Sequence, residues 1–161
     1  MNYDASSQPD SSSGINLVML VDDSRDDIFL TTRAMTKAGL AFSLIVSHDA
    51  EEAIQYLSQP DKTLFPLPRW IVTDMKMPRM SGIELLYWIK HSPYHHIPVV
   101  IFSSSAQDHD LADAFGTGAN SYLIKPNSFD DMVELWKAVG GFWARSETVP
   151  NFPFNPSSHK N

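Results

Sequence analysis

Residues 16–27, NLVMLVDDSRDD, end an apolar run in two adjacent carboxylates, Asp22 and Asp23, with Asp26 and Asp27 close behind. Side-by-side acids at the end of a buried element repel each other and lose hydration, a cost that a cation or a helix end must offset. Single chemistry-bearing residues follow other apolar runs: Asp74 after WIVT, Ser103 after VVIF and Lys125 after SYLI. Together they make the parts of a phosphoryl-transfer site. A hard divalent cation bound by oxygen, here Mg2+, would offset the repulsion, since Mg2+ favours one or two carboxylates with water and phosphate oxygens. Lys125 suits a phosphoryl oxygen as a point charge, Ser103 could donate a hydrogen bond to another, and Asp74 could accept phosphoryl as an aspartyl phosphate.

These residues meet only if the runs that precede them are neighbouring strands. Stretches rich in β-branched residues at 15–21, 42–47, 70–73, 97–102 and 121–124 show little polar alternation, as expected of strands buried on both faces of a parallel sheet. Helical segments lie between them. Ser24 with Asp27 resembles a capping box, and Gly39 closes that helix. Segment 49–59 carries acids in its first turn, 81–92 and 106–118 follow, and the last helix opens at Ser128 with Asp131 three residues on. Gly140 and Gly141 are expected to break that helix, with Phe142 and Trp143 on a kinked extension. A longer, Pro-rich loop at 58–69 precedes the third strand.

The fold class is therefore α/β: a doubly wound five-stranded parallel sheet of flavodoxin-like architecture with right-handed crossovers. Ligands of such sheets collect beyond the carboxyl ends of the strands, where Asp22, Asp23, Asp74, Ser103 and Lys125 would all lie. The expected organisation is a disordered lead at 1–14, one domain at 15–146 and an irregular, Pro-rich tail at 147–161.

Composition narrows the function. A chain of 161 residues with 43% hydrophobic and 19% charged content has the size and make-up of one globular domain. A net charge of −7 and the lack of a Lys/Arg cluster argue against nucleic acid. The chain has no cysteine, so disulfides and thiolate metal sites are excluded. The first residues lack a basic region followed by an apolar stretch, and the apolar run 17–21 is too short to cross a bilayer. A cytoplasmic protein with no DNA or membrane partner is expected.

Each candidate also has a blander explanation. Acids at strand ends often cap the next helix, and Asp26 and Asp27 are read as doing only that. Ser103 sits in a run of serines, and Lys125 before Pro126 could be an ordinary loop residue. His91, His95 and His96 have no matching carboxylate set and read as solvated; Met75, Met77 and Met80 read as packing. It is the joint occurrence of the acids, hydroxyl and lysine that carries the argument.

The same residues resemble the response-regulator receiver domain, the phosphoacceptor half of two-component signalling. The matching stretches are LVDD (20–23), VTDMKMPRMSG (72–82), IPVVIFSSSA (97–106) and GANSYLIKP (118–126), covering roughly residues 15–140 with their order. The resemblance implies the (βα)5 receiver fold and assigns roles. Asp74 is the phosphorylated residue; Asp23 and Asp74 bind Mg2+ directly, Asp22 through water, and Lys76 through its backbone carbonyl. Ser103 and Lys125 engage the phosphoryl group, Ser103 and Tyr122 form the switch pair with Tyr122 swinging inward, and Lys125–Pro126 is commonly cis. Asp27, PRM (78–80), SSSA (103–106) and Phe142–Trp143 are closest to single-domain regulators served by phytochrome-type and hybrid kinases. Lys76 stands where that branch usually has Asn, and Gly140–Gly141 where it has better helix formers.

The resemblance implies a stand-alone response regulator loaded by a sensor histidine kinase, of phytochrome or hybrid type, or by a phosphotransfer protein. It would be a switch rather than an enzyme, although receivers promote their own phosphorylation and dephosphorylation. About 35 residues after Pro126 leave no room for a DNA-binding domain. Output would run through the face of the fourth helix, fifth strand and fifth helix, to a downstream protein or a second copy; Phe129, Trp136 and Trp143 are candidate aromatic anchors, although Trp136 taken alone reads as core packing. Rival readings are a Mg2+-dependent phosphohydrolase with an aspartyl-phosphate intermediate, a flavodoxin-like cofactor binder and a degenerate receiver acting as a scaffold. A haloacid-dehalogenase-type enzyme would carry an acid where Lys76 stands, and a flavin phosphate loop would not be acidic, so no organic cofactor is expected.

Overall fold

The computed structural model of the chain describes residues 16–145. Ten elements alternate along it: β1 Leu17–Val21, α1 Arg25–Lys37, β2 Ser43–Ser47, α2 Ala50–Leu57, β3 Trp70–Thr73, α3 Gly82–Lys90, β4 Val99–Ser103, α4 Asp108–Thr117, β5 Ser121–Ile124 and α5 Phe129–Arg145. The strands form one parallel sheet in the order β2-β1-β3-β4-β5. The flavodoxin-like sheet read from the sequence is therefore the fold. The lead at 1–14, the tail at 147–161 and both expected domain boundaries lie outside the described residues.

The apolar runs serve two cores. Met19, Val21, Ile71, Val99 and Ile101 face one side of the sheet with Ala53, Leu85, Leu86, Ile89 and Ala114 of α2, α3 and α4. Val18, Leu20, Trp70, Val72, Val100 and Phe102 face the other with Met35 of α1 and Val133 and Trp136 of α5. Alternate residues of one strand thus enter opposite cores, and the inner strands stay apolar up to the buried Thr73 and Ser103 at their carboxyl ends because both faces are covered. The expectation of full burial fails at the edges. In β2 only Ser47 is buried, and Ile124 in β5 is exposed. An edge strand has a neighbour on one side only, so less of it is covered.

Register places the chemistry. Val21 pairs with Ser47 and Thr73, and Ser103 with Ile124. The ladder continues one step past the strands: Asp22 N–H donates to Ser47 O at 3.1 Å, Asp74 N–H to Val21 O at 2.9 Å, and Lys125 N–H to Ser103 O at 2.8 Å. Three site residues are thereby held by sheet-like hydrogen bonds rather than by free loops.

Two glycines correct or explain the sequence reading. α5 is not broken at Gly140–Gly141 but runs unbroken through both. A Cβ on Gly140 would stand 2.1 Å from Leu40 Cδ1, so glycine there lets α5 press against the chain leaving α1. The continued helix stacks Trp143 on Trp70, with ring centres 5.9 Å apart. Gly82, the last residue of the VTDMKMPRMSG stretch, begins α3 against the backbone of Asp74, where a Cβ would lie 1.9 Å from the Asp74 carbonyl oxygen. All described peptide bonds are trans, Lys125–Pro126 included, against the cis expectation; trans is the lower-energy form for X–Pro by about 0.5–1 kcal/mol.

These contrasts set an expected pair of stability changes. Nothing lies within 4 Å of a Cβ on Gly141, so Gly141→Ala should raise the urea unfolding free energy by roughly 0.5–1 kcal/mol through helix propensity. Gly82→Ala should lower it by about 2 kcal/mol or more, because backbone has to move. Equal effects at both positions would contradict the packing described.

Candidate functional site

Asp22 is buried, Asp74 half-buried and Asp23 exposed, and one carboxylate oxygen from each lies within 4.8 Å of the others. β1 delivers Asp22 and Asp23, and β3 delivers Asp74. Asp22 Oδ1 accepts the Ser24 N–H at 2.9 Å, and its Oδ2 accepts from Lys125 Nζ at 2.8 Å. Asp74 Oδ1 accepts the Met75 N–H at 2.8 Å and stands 3.6 Å from Lys125 Nζ. The lysine reaches this point from the opposite side of β4, its ammonium 5.6 Å from the centre of the Phe102 ring and its side chain only 9% exposed.

Burial pushes the Asp74 carboxyl up to about 6; Lys125 opposes this, Asp22 adds to it, the Met75 N–H opposes it, and Asp23 adds again. Burial also works against charge on Lys125, but its bonds to Asp22 and Asp27 and the field of Asp74 outweigh it, so its pKa is raised above the ordinary lysine value. A single ammonium leaves the acids under-compensated. An all-oxygen set in that condition suits a hard divalent cation, and among the described residues only Asp22, Asp23 and Asp74 form a cluster tight enough to hold a metal.

Asp27 does more than the sequence suggested. Its N–H is capped by Ser24 Oγ at 3.2 Å, as expected, but its carboxylate does not close a capping box: it accepts from Lys125 Nζ at 2.9 Å. The expectation that Asp27 only serves the first turn of α1 is therefore corrected. Nothing in the sequence links residues 27 and 125, which meet because α1 starts at the same sheet end where β5 stops.

Ser103 is buried, and its hydroxyl accepts the Ser105 N–H at 3.2 Å. The half-buried Tyr122 already points inward, its hydroxyl donating to Ser105 O at 2.8 Å and lying 3.6 Å from Met75 Sδ. An inward swing was expected only after phosphorylation. The Lys76 side chain is 71% exposed, and its ammonium lies 4.0 Å from the Asp110 carboxylate of α4. Asp110 was not singled out from the sequence, and its burial at the start of a helix gives no sequence signal.

The other expectations sort simply. His91 stacks on Tyr87 with ring centres 4.0 Å apart, and burial lowers the pKa of His96. Met75 is buried and Met77 and Met80 pack against the core, as read. Of the proposed aromatic anchors, Trp136 is wholly inside, Trp143 lies on Trp70, and Phe129 lies 5.7 Å from the Arg33 guanidinium and 5.5 Å from the Lys37 ammonium; the exposed aromatic of α5 is Phe142. No described helix is long and apolar enough to cross a membrane.

Comparison with known proteins gives the geometry a context. The model of the response regulator receiver domain matches residues 18–137. The probable methanogenesis regulatory protein FilR2 of Methanothrix harundinacea is 33% identical over 128 residues, spanning 79% of this chain and 83% of that protein. Response regulator Rcp1 of Synechocystis is 28% identical over 143 residues, 88% of this chain and 97% of its own. The crystal structure of its Mn2+-bound form superposes with a TM-score of 0.73, covering 84% of this chain and 99% of that one. The phosphorylated cyanobacterial phytochrome response regulator RcpA, 28% identical with the same coverage, gives 0.75.

The raised Asp74 pKa makes a stability prediction with a definite sign. Between the ordinary value of 3.8 and about 6, the folded chain holds a proton that the unfolded chain has released, so stability falls as pH rises through this window and stays low above it. Asp74→Asn removes the charge, and should stabilise the chain by on the order of 1–3 kcal/mol at pH 7.5 and hardly at all near pH 4. Urea midpoints at the two pH values check it; a gain of equal size at both would show that the Asp74 charge is not the cost.

Proposed function

The chain belongs to the response-regulator receiver family, and from that premise we propose that it works as a stand-alone response regulator whose phosphoacceptor is Asp74. The observation that supports this most is the convergence of Asp22, Asp23 and Asp74 on one sheet edge with Lys125 threaded between them. A sensor histidine kinase, of phytochrome or hybrid type, or a phosphotransfer protein would be the donor. The proposed compartment is the cytoplasm.

In the proposed reaction Asp74 attacks the phosphorus of a donor phosphohistidine. An Oδ–P bond forms, the N–P bond breaks, and its electron pair stays on the donor imidazole. With a pKa of about 6, the Asp74 carboxyl is mostly ionised at neutral pH and ready to attack. Asp23, Asp74 and the Lys76 carbonyl would hold Mg2+, with Asp22 acting through water, and the ion would supply positive charge to the phosphoryl oxygens. Lys125 stands 3.6 Å from Asp74 and can exchange its bond to the more exposed Asp27 for one to a phosphoryl oxygen. Ser103 would turn its hydroxyl from the Ser105 N–H to another.

That turn loosens the segment on which Tyr122 rests, since both Ser103 and Tyr122 bond to Ser105. The signal then reaches α4, β5 and α5 as a shift between two arrangements. Each of these elements exposes one large apolar side chain: Phe115, Ile124 and Phe142. They support this face as the output surface, for a downstream protein or a second copy.

Intact mass after incubation with acetyl phosphate tests the reading. We expect one phosphoryl adduct that needs Mg2+ and is absent from Asp74→Asn. An adduct that persists in Asp74→Asn, or its absence from the parent chain with Mg2+ present, would overturn it. Sedimentation of the loaded and unloaded chain should show association on loading, and a monomer in both states would remove the second copy as the partner.

A further inference from the structure

The apolar side chains of α3 divide between two faces. Leu85, Leu86 and Ile89 are buried in the core. A second set at helical spacing, Met80, Ile83, Tyr87, Trp88 and His91, lines a surface groove of about 530 Å3, which Thr117 of α4 lines as well. Neither the phosphoryl site nor the proposed output surface uses this stripe. The solvent side of a packed helix is ordinarily polar, yet Tyr87 is 58% exposed.

The aromatic walls are set in place by their neighbours. The Tyr87 ring stacks on His91, whose Nδ1 lies 2.8 Å from the Tyr87 carbonyl oxygen. Trp88 stacks on Tyr94 with ring centres 5.9 Å apart, and the Lys62 ammonium lies 5.3 Å from the centre of the Tyr94 ring. Rings already held in one orientation lose little freedom when a partner covers them. Charge then narrows the partner. Glu84 lines the groove, and Asp113, one turn before Thr117 on α4, is exposed. Lys90 is the one Lys or Arg in these two helices, and its ammonium bonds to the His95 and Ile97 carbonyls at 3.4 and 3.3 Å and to Asn120 Oδ1 at 3.2 Å. The cations just before α3 face acids of their own, Lys76 with Asp110 at 4.0 Å and Arg79 with Asp49 at 2.7 Å.

We propose that this groove docks a basic amphipathic helix of a partner protein. Apolar side chains one turn apart on that helix enter beside Tyr87 and Trp88, and its flanking Lys or Arg residues meet Glu84 and Asp113. The nine residues of α3 span about 14 Å, room for two to three turns of a helix laid along them. A second copy of this chain, with its net charge of −7, would bring like charge to an acidic groove. Docking here does not require phosphoryl on Asp74, so the two readings stand or fall separately.

The test titrates the full, unloaded chain into a fluorescein-labelled amphipathic peptide made only of Leu and Lys, followed by anisotropy at about 0.1 M salt. We expect saturable binding that weakens about tenfold in Tyr87→Ala and about threefold in Glu84→Gln. Gln still offers an oxygen to the Ser81 N–H, so the start of α3 keeps its cap. Phe29→Ala, at an exposed ring of α1, should change nothing. Thr117→Arg puts a cation into the groove from α4 and should weaken binding at least as much as Tyr87→Ala; it decides the matter if Tyr87→Ala lowers the urea midpoint. Absence of binding overturns the docking site. So does binding that survives both Tyr87→Ala and Thr117→Arg, or equal binding of a Leu/Glu peptide or of the same Leu and Lys residues reordered to lose the apolar face. Self-association in sedimentation that Tyr87→Ala abolishes would give the groove to a second copy and overturn the partner helix.

Discussion

The Lys125 ammonium is the counter-charge around which the rest of the site is arranged. It has three N–H donors, and Asp22 and Asp27 hold it at 2.8 and 2.9 Å while Asp74 waits at 3.6 Å. To get there its side chain crosses beside Phe102 from an edge strand to the centre of the sheet. Removing a partner from a buried ion pair is far more costly than the pair is worth, so the lysine and Asp22 must be kept together or lost together. Burial raises the Asp74 carboxyl to about 6, and Lys125, whose contact with Asp74 is the longest of the three, offsets this only in part. The site is held by Lys125 but not satisfied by it, which is the condition in which added positive charge binds usefully.

Around this charged centre the backbone is rigid where reactants must be placed. β1 and β3 lie inside the sheet, their ends joined by the bond from Asp74 N–H to Val21 O. Gly82 brings the start of α3 into contact with the Asp74 backbone, and the Ser81–Glu84 capping box secures that turn. Arg79, at φ 66°, reaches from the same loop to Asp49 at 2.7 Å, tying it to the start of α2. A left-handed arginine is strained backbone, and this bridge gives it a compensating contact.

The sequence showed the sheet and the convergence of residues at its edge because both follow from local patterns. A buried parallel strand reads as an apolar run, and the residue after it falls at the carboxyl end of the sheet. Asp22, Asp23, Asp74, Ser103 and Lys125 could all be placed by that rule. What it did not show depends on distant contacts. Gly140 looks like a helix breaker until Leu40 is seen against it. Asp27 looks like a cap until Lys125 arrives from 98 residues away. Asp110 looks like a first-turn acid until Ser105 and Lys76 close on it. Which way the Tyr122 ring points is likewise a matter of packing.

The division between a rigid centre and looser edges bears on how such a site can signal. A charge change at Asp74 cannot be absorbed by β1 or β3, whose side chains interdigitate with both cores. Under the proposed switch it would be absorbed where contacts are polar, few and exchangeable: Lys125 between Asp27 and Asp74, Ser103 on the Ser105 N–H, and Tyr122 on the Ser105 carbonyl. All of these lead toward β5 and α4, the edge where burial is incomplete and Ile124 and Phe115 face solvent. The acidic cluster thus lies at the stiff end of the molecule and the apolar surface at the compliant end. Ser105 is the link shared by Ser103 and Tyr122, so under the proposed switch a group that fixes Ser105 would also set how much of a change at Asp74 reaches the surface.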